Sequence, residues 1–325
     1  FGTMSAADTI TDAHHHFLDA PNNAFQGFLK SLGVPPYLAD AYNADMAPLS
    51  VKKSVHIEAL PDDGVAEVAW VQKLVDEGKA PTVAAIVAQC DLSADDAAER
   101  LEDLKAASSL VRGIRYIIDY DGPFDGKNAT HIATSRFDKD MLRGEVAPHF
   151  ERGFALLAGK GLSYDLQCCP AQLPAAAAMC ARHPDVTVVV DHLGKPRHLK
   201  ADGGEYDQAQ LALWREGMKL MAALPQVHVK LSMLGYAVPG WHKDAAKEEF
   251  LRSLVRETIL LFGAHRCMFA SNFHVNGAVS DSDGLSDDGP SPPELYAAFA
   301  CWVADLPDAD QARLFAGTAD EVYRI

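Results

Sequence analysis

The strongest constraint on the fold is a pattern of alternation. Eight short runs rich in apolar and β-branched residues are separated by longer stretches, most with helical periodicity. The runs are "TITDAHHHF" (9–17), "SVHIEAL" (54–60), "TVAAIVAQC" (82–90), "VRGIRYII" (111–118), "LSYDLQCC" (162–169), "VTVVVDHL" (186–193), "VHVKLSML" (227–234) and "RCMFASNF" (266–273). "DDAAERLEDLKAAS", with Ser93 as the expected N-cap, "AQLPAAAAMCARH", and "EEFLRSLVRETILLFG", closed by Gly263, read as helices. Near-continuous apolar strands alternating with helices predict a parallel sheet covered on its faces. Eight such units predict closure into an α/β fold of the (β/α)8 TIM-barrel type, which uses about 250 residues and tolerates insertions. The 325 residues accommodate that and two long loops, 119–148 after the fourth run and 274–293 after the eighth. A doubly wound open sheet is the rival; no GxGxxG or GxxxxGK[ST] phosphate loop supports it. We expect one domain spanning 5–325, with Phe1 to Met4 read as a cloning scar.

The formal net charge of -16 repels nucleic-acid phosphates and anionic lipid, so neither is an expected partner. A small-molecule substrate is expected, and self-association is left open. The six cysteines form no CxxC pair, the usage of a reducing, cytoplasmic compartment. No apolar run reaches the length of a membrane span, and "FGTMSAAD" does not read as a signal peptide.

Polar residues within these strands carry the functional reading. With strand periodicity, Ile10, Asp12, His14 and His16 share one face, inward if Ile10 fills the barrel floor. Two imidazoles spaced i, i+2 can converge on one cation. The embedded, β-branched context argues against a purification tag. In "VTVVVDHLGKP", Val186, Val188, Val190 and His192 share parity, so a valine series ends in a histidine before Gly194 and Pro196. His14, His16 and His192 would offer three nitrogen ligands to a zinc or another divalent ion and leave a position open. A core-packing role for the pair is the bland alternative.

Asn272 stands on the eighth run where a barrel hydrolase would be expected to carry a carboxylate; it is neutral and cannot act as a base. His274 and Glu58 are the candidate bases, and His192 and Asn272 complete the catalytic candidates. His56 shares a face with Glu58. With Arg115, Gln167 and Lys230, it is a candidate for holding the substrate. Parallel strands are normally apolar on both faces, so this clustering of polar residues in strands points to a site.

"DAHHHF", "SVHIEAL", "VRGIRY", "YDLQ", "VVVDHLGKP", "VKLS" and "MFASNFHVN", in this order, resemble the amidohydrolase superfamily, in its amidohydrolase-related branch of metal-dependent TIM-barrel hydrolases. The resemblance runs from about residue 9 to the closing "LFAGTADEVYRI". It implies a (β/α)8 barrel that hydrolyses a lactone from sugar or aromatic catabolism. In the family the HxH pair and the histidine after strand six, matching His14, His16 and His192, sit at the site. Some members bind zinc there and one kind works without metal. Asn272 replaces an aspartate that activates water in many members. Two other functions stay open at this stage: a metal-dependent decarboxylase of aromatic acids, and a ligand-binding barrel without catalysis.

Overall fold

In the computed structural model, residues 9–122, 139–273 and 289–325 are described. His274, a candidate base, and most of both long loops lie outside them. The eight runs form strands β1 (Ile10–His15), β2 (Val51–Ile57), β3 (Val83–Gln89), β4 (Val111–Arg115), β5 (Ser163–Leu166), β6 (Val188–Val190), β7 (Val227–Leu231) and β8 (Cys267–Phe269). They make one sheet in sequential order, every neighbouring pair parallel. A parallel bridge between His15 and Phe273 joins the first and last strands, with His16 N–H donating to Phe273 O at 2.7 Å and Asn272 N–H to His14 O at 2.8 Å. This is the expected TIM-barrel arrangement.

The principal helices are α1 (Ala39–Met46), α2 (Gly64–Asp76), α3 (Ala97–Ala107), α4 (Ala147–Lys160), α5 (Leu173–Arg182), α6 (Glu205–Ala222), α7 (Ala245–Phe262), α8 (Pro292–Val303) and α9 (Thr318–Tyr323). The three helices read from sequence are all present. Helix α3 starts at Ala97, with Asp96 and not Ser93 at its N-cap; Ser93 is instead held by the Asp91 carboxylate in the preceding turn. Gly263 ends α7 with φ 81, a backbone region that favours glycine.

The apolar core has two parts. A large outer cluster packs the outward strand residues Ile10, Ile86, Ile114, Val188, Val190, Leu231 and Phe269 against the helices. A small inner cluster fills the barrel: Ala13, Val55, Ile57, Ala85, Val87, Val189, Met268 and Ala270. Ala319, Val322 and Tyr323 of α9 seal it from below. Small inner side chains leave room above for the polar groups at the strand ends.

No described helix is long and apolar enough to cross a membrane. All six cysteines are free thiols; five are buried and Cys301 is exposed.

Candidate active site

Two local departures from regular strand geometry aim the histidines. The first is a bulge in β1. Between Asp12 and His15 the strand advances three residues while β2 advances two, from Ser54 to His56. Ile10 and Asp12 therefore face outward, the reverse of the parity read from sequence. Ala13 faces inward, and past the bulge so does His14, with His16 after it. Asp12 anchors this turn of chain from behind. Its buried carboxylate accepts from Tyr42 OH at 2.9 Å, Ser271 Oγ at 2.7 Å, Ser271 N at 2.8 Å and Tyr296 OH at 3.3 Å. These bonds tie β1 to the end of β8. His15 points outward and stacks on Tyr42 with ring centroids 4.2 Å apart.

The second departure follows β6. His192, Leu193, Gly194 and Lys195 all have positive φ, at 57°, 57°, 68° and 58°. Such a left-handed turn costs roughly 1–2 kcal/mol for each residue with a side chain. The valine series 186–190 packs outward against the helices, so strand periodicity alone would send His192 the same way. The turn reverses that and lets two consecutive residues, Asp191 and His192, both reach the mouth. Asp191 extends the inward series from Val189. Leu60, Met233 and Asn272, at other strand ends, also have positive φ. Strain of this kind collects at functional sites.

The side chains meet as follows. His16 Nδ1 lies 2.9 Å from Ile57 O, so it carries the proton and donates there. The lone pair of His16 Nε2 then faces His14 Nε2 at 3.2 Å. Two imidazoles on one tetrahedral zinc, bonded at ~2.0–2.1 Å, would stand about 3.3 Å apart, so this pair suits a shared cation. The rings of His14 and His192 are 4.7 Å apart, and His192 Nδ1 meets Ser232 Oγ at 3.0 Å. Among the described residues, one cluster brings three metal-donor side chains together: His14, Asp191 and His192, with donor atoms within 4.8 Å of one another. His16 lies outside that cluster and joins it through His14.

Buried cations surround the imidazoles. Arg115 Nη1 is 3.3 Å from His14 Nε2, and Lys230 Nζ is 3.3 Å from His14 Nδ1. Arg115 also donates to Glu58 Oε1 at 2.6 Å and to Gln167 Oε1 at 3.3 Å. Lys230 donates to Asp165 Oδ2 at 2.5 Å, and Tyr323 OH donates to the same oxygen at 2.9 Å. Lys195, carried in by the left-handed turn, donates to Asp119 Oδ2 at 2.5 Å, and Gln167 Nε2 donates to the same carboxylate oxygen at 3.1 Å.

Burial pushes the three site histidines toward their neutral forms: His192 falls to about 3, and His14 and His16 fall well below the ordinary imidazole value. Lys230 beside His14, and Arg115 beside His16, push the same way. Burial works to raise the Asp191 carboxyl, but Lys230 and His14 outweigh it and hold it well below the usual carboxylate range. The site therefore offers neutral imidazole acceptors, an ionised Asp191 and two cations.

The sequence-predicted residues divide. His14, His16, His192, Arg115, Gln167 and Lys230 come together. Glu58 is there, but Arg115 takes one carboxylate oxygen and Leu60 N the other, at 2.7 Å, so it holds Arg115 in place rather than standing free as a base. His56 does not join. It lies on the helix side of β2, with its ring 5.3 Å from Phe17 and its Nε2 3.8 Å from Glu67 on α2. Asn272 follows β8 with its backbone N–H on His14 O; it is 1 % exposed, and neither amide atom has a hydrogen-bond partner. Asp191, Asp119 and Lys195 were missed. Two of the three stand in "DHLGKP", where the sole signal was a charged residue on each side of the histidine and glycine.

A family model described as Amidohydrolase matches residues 11–325. An uncharacterised protein of Sinorhizobium fredii is 27% identical over 332 residues, 97% of this chain and 98% of its own length. An L-fucono-1,5-lactonase of Burkholderia multivorans is 28% identical over 320 residues, covering 97% of this chain and 95% of its own. A crystal structure of an amidohydrolase from Burkholderia multivorans with bound zinc is 27% identical, with a TM-score of 0.71 over 98% of this chain and 99% of that one. The same similarity holds for a crystal form of that protein with bound HEPES.

Proposed function

The chain belongs to the amidohydrolase family, and from that footing we propose that it is a hydrolase opening a small lactone, derived from a sugar acid or an aromatic catabolite, with an activated water. The observation that carries this reading is the meeting of His14, His16 and His192 with Arg115 and Lys230 at one barrel mouth. The similarity to L-fucono-1,5-lactonases supports the lactone as substrate.

Hydrolysis of a cyclic ester builds negative charge on the carbonyl oxygen. Arg115 and Lys230 are fixed cationic donors on either side of His14, already oriented by Glu58 and Asp165. A carbonyl presented to either cation meets a donor already oriented, which needs no further reorganisation as the charge grows. Gln167, just past the end of β5 and held between Arg115 and Asp119, orients the ring. Where no metal occupies the site, His192, kept neutral by burial, is the acceptor we assign for the proton of the attacking water, with Ser232 fixing its ring.

The donor set also fits a divalent metal, by the 3.2 Å spacing of the two Nε2 atoms and the cluster around His14. His14, His16 and His192 would hold it, and when bound it supplies a Lewis acid and lowers the pKa of its water to about 7. Buried free thiols suit the cytoplasm as its place of action.

A pH-stat assay on a panel of sugar-acid and aromatic-derived lactones tests the proposal. Ring opening by the wild-type chain, lost at least ~100-fold in Arg115→Lys, is expected, because lysine cannot reproduce the forked contacts. Release of carbon dioxide from aromatic acids, with every lactone left intact, sinks it.

A further inference from the structure

The eighth strand lacks an inward carboxylate, and Asn272 stands there with both amide atoms unpartnered. A site of neutral imidazoles alone leaves a divalent cation without an anionic ligand. Among the described residues, Asp191 is the carboxylate that clusters with the same histidines. Asp191 is fully buried at the end of the inward series of β6, and its carboxylate receives no directed hydrogen bond. Its neighbours are two cations, Lys230 Nζ at 3.2 Å from Oδ1 and Arg115 Nη1 at 3.5 Å from Oδ2, and the neutral His14 imidazole, whose Nδ1 is 3.7 Å from Oδ1. A buried carboxylate with no directed donor is costly unless something else completes its shell.

We propose that Asp191 supplies the anionic member of the metal set, joining His14 and His192, and so takes over the place of the absent strand-eight carboxylate. This rests on the reading of the barrel mouth as a hydrolytic site that accepts a divalent ion. The left-handed turn makes the transfer geometrically feasible, since on a regular strand residues 191 and 192 would face opposite ways. Lys230 is the built-in competitor. Its ammonium lies 3.2 Å from Asp191 Oδ1, an acceptor that a divalent cation would otherwise use, and 3.3 Å from His14 Nδ1 on the same imidazole. Metal entry must therefore push against a fixed positive charge, and the affinity of the site is set by that contest.

The test is zinc affinity of the purified full chain, read by competition with a chromophoric chelator, with circular dichroism as the control for folding. Asp191→Asn is expected to weaken zinc binding at least ~10-fold, while Asn272→Ala leaves it within about two-fold. Folded Asp191→Asn that holds zinc as tightly as wild type overturns the proposal. So does a wild-type chain that takes up no zinc. Lactone turnover by that same metal-free protein then decides separately whether the hydrolase reading survives. Should Asp191→Asn fail to fold, Lys230→Met keeps Asp191 and removes its competitor. It is expected to bind zinc at least ~10-fold tighter, and unchanged or weaker binding overturns the proposal.

Discussion

At the scale of single residues, the site is maintained against its own stability. Asn272 combines a left-handed φ of 55° with a buried amide that has no partner. Asn272→Gly relieves both and removes the polar group. We expect it to stabilise the chain by on the order of 1 kcal/mol in urea denaturation while lowering lactone turnover. A destabilised glycine variant sinks this account. The buried imidazoles carry a second cost. His14, His15 and His16 are held well below the ordinary value of 6.5, His192 at about 3 and His228 at about 4, burial being the largest cause in each. A folded-state pKa below the unfolded one means that the unfolded chain binds protons first on acidification. Their stabilising contribution is thus complete above 6.5 and is lost as the pH falls from there toward the folded values. The slope is up to ~1.4 kcal/mol per pH unit for each group. The urea midpoint should drop markedly from pH 7.5 to pH 5.5; equal midpoints contradict it.

At the scale of elements, the sequence was readable where strands are regular. All eight runs became strands in order, and the inward positions of β4, β5 and β7 placed Arg115, Gln167 and Lys230 as parity predicts. It was misread where the chain departs from period two. The β1 bulge moves Ile10 and Asp12 outward without disturbing the expectation for His14 and His16, so a right placement came from a wrong premise. The turn after β6 hides in four letters, HLGK, of which only the glycine hints at a positive φ. His56 obeyed its strand and faced away, alternating with the inward Val55 and Ile57. Gly194 is the residue that permits the turn: its φ is 68°, and an added Cβ would come 2.4 Å from Met218 Sδ on α6. Gly194→Ala should therefore cost at least ~2 kcal/mol and lower kcat/KM by shifting His192 and Lys195 together, as read by denaturation and turnover. Wild-type stability in that variant refutes the strained-turn account.

At the scale of the whole molecule, the network extends below the barrel. Tyr323, in α9, is fully buried, donates to Asp165, and lies with its ring 5.5 Å from the Lys230 ammonium. Tyr323→Phe keeps the ring and removes the hydroxyl. A loss of about 1.5–3 kcal/mol is expected, as for a hydrogen bond to a charged acceptor, together with slower ring opening at unchanged KM. An unaltered kcat disconnects the floor from the chemistry.

Synthesis runs from the amino end, so every strand is made before the segment that stoppers the shaft from beneath. A nascent polypeptide released just short of that segment would expose Asp165 and Lys230 to water entering from underneath. Catalytic readiness thus waits on a segment made after all eight strands.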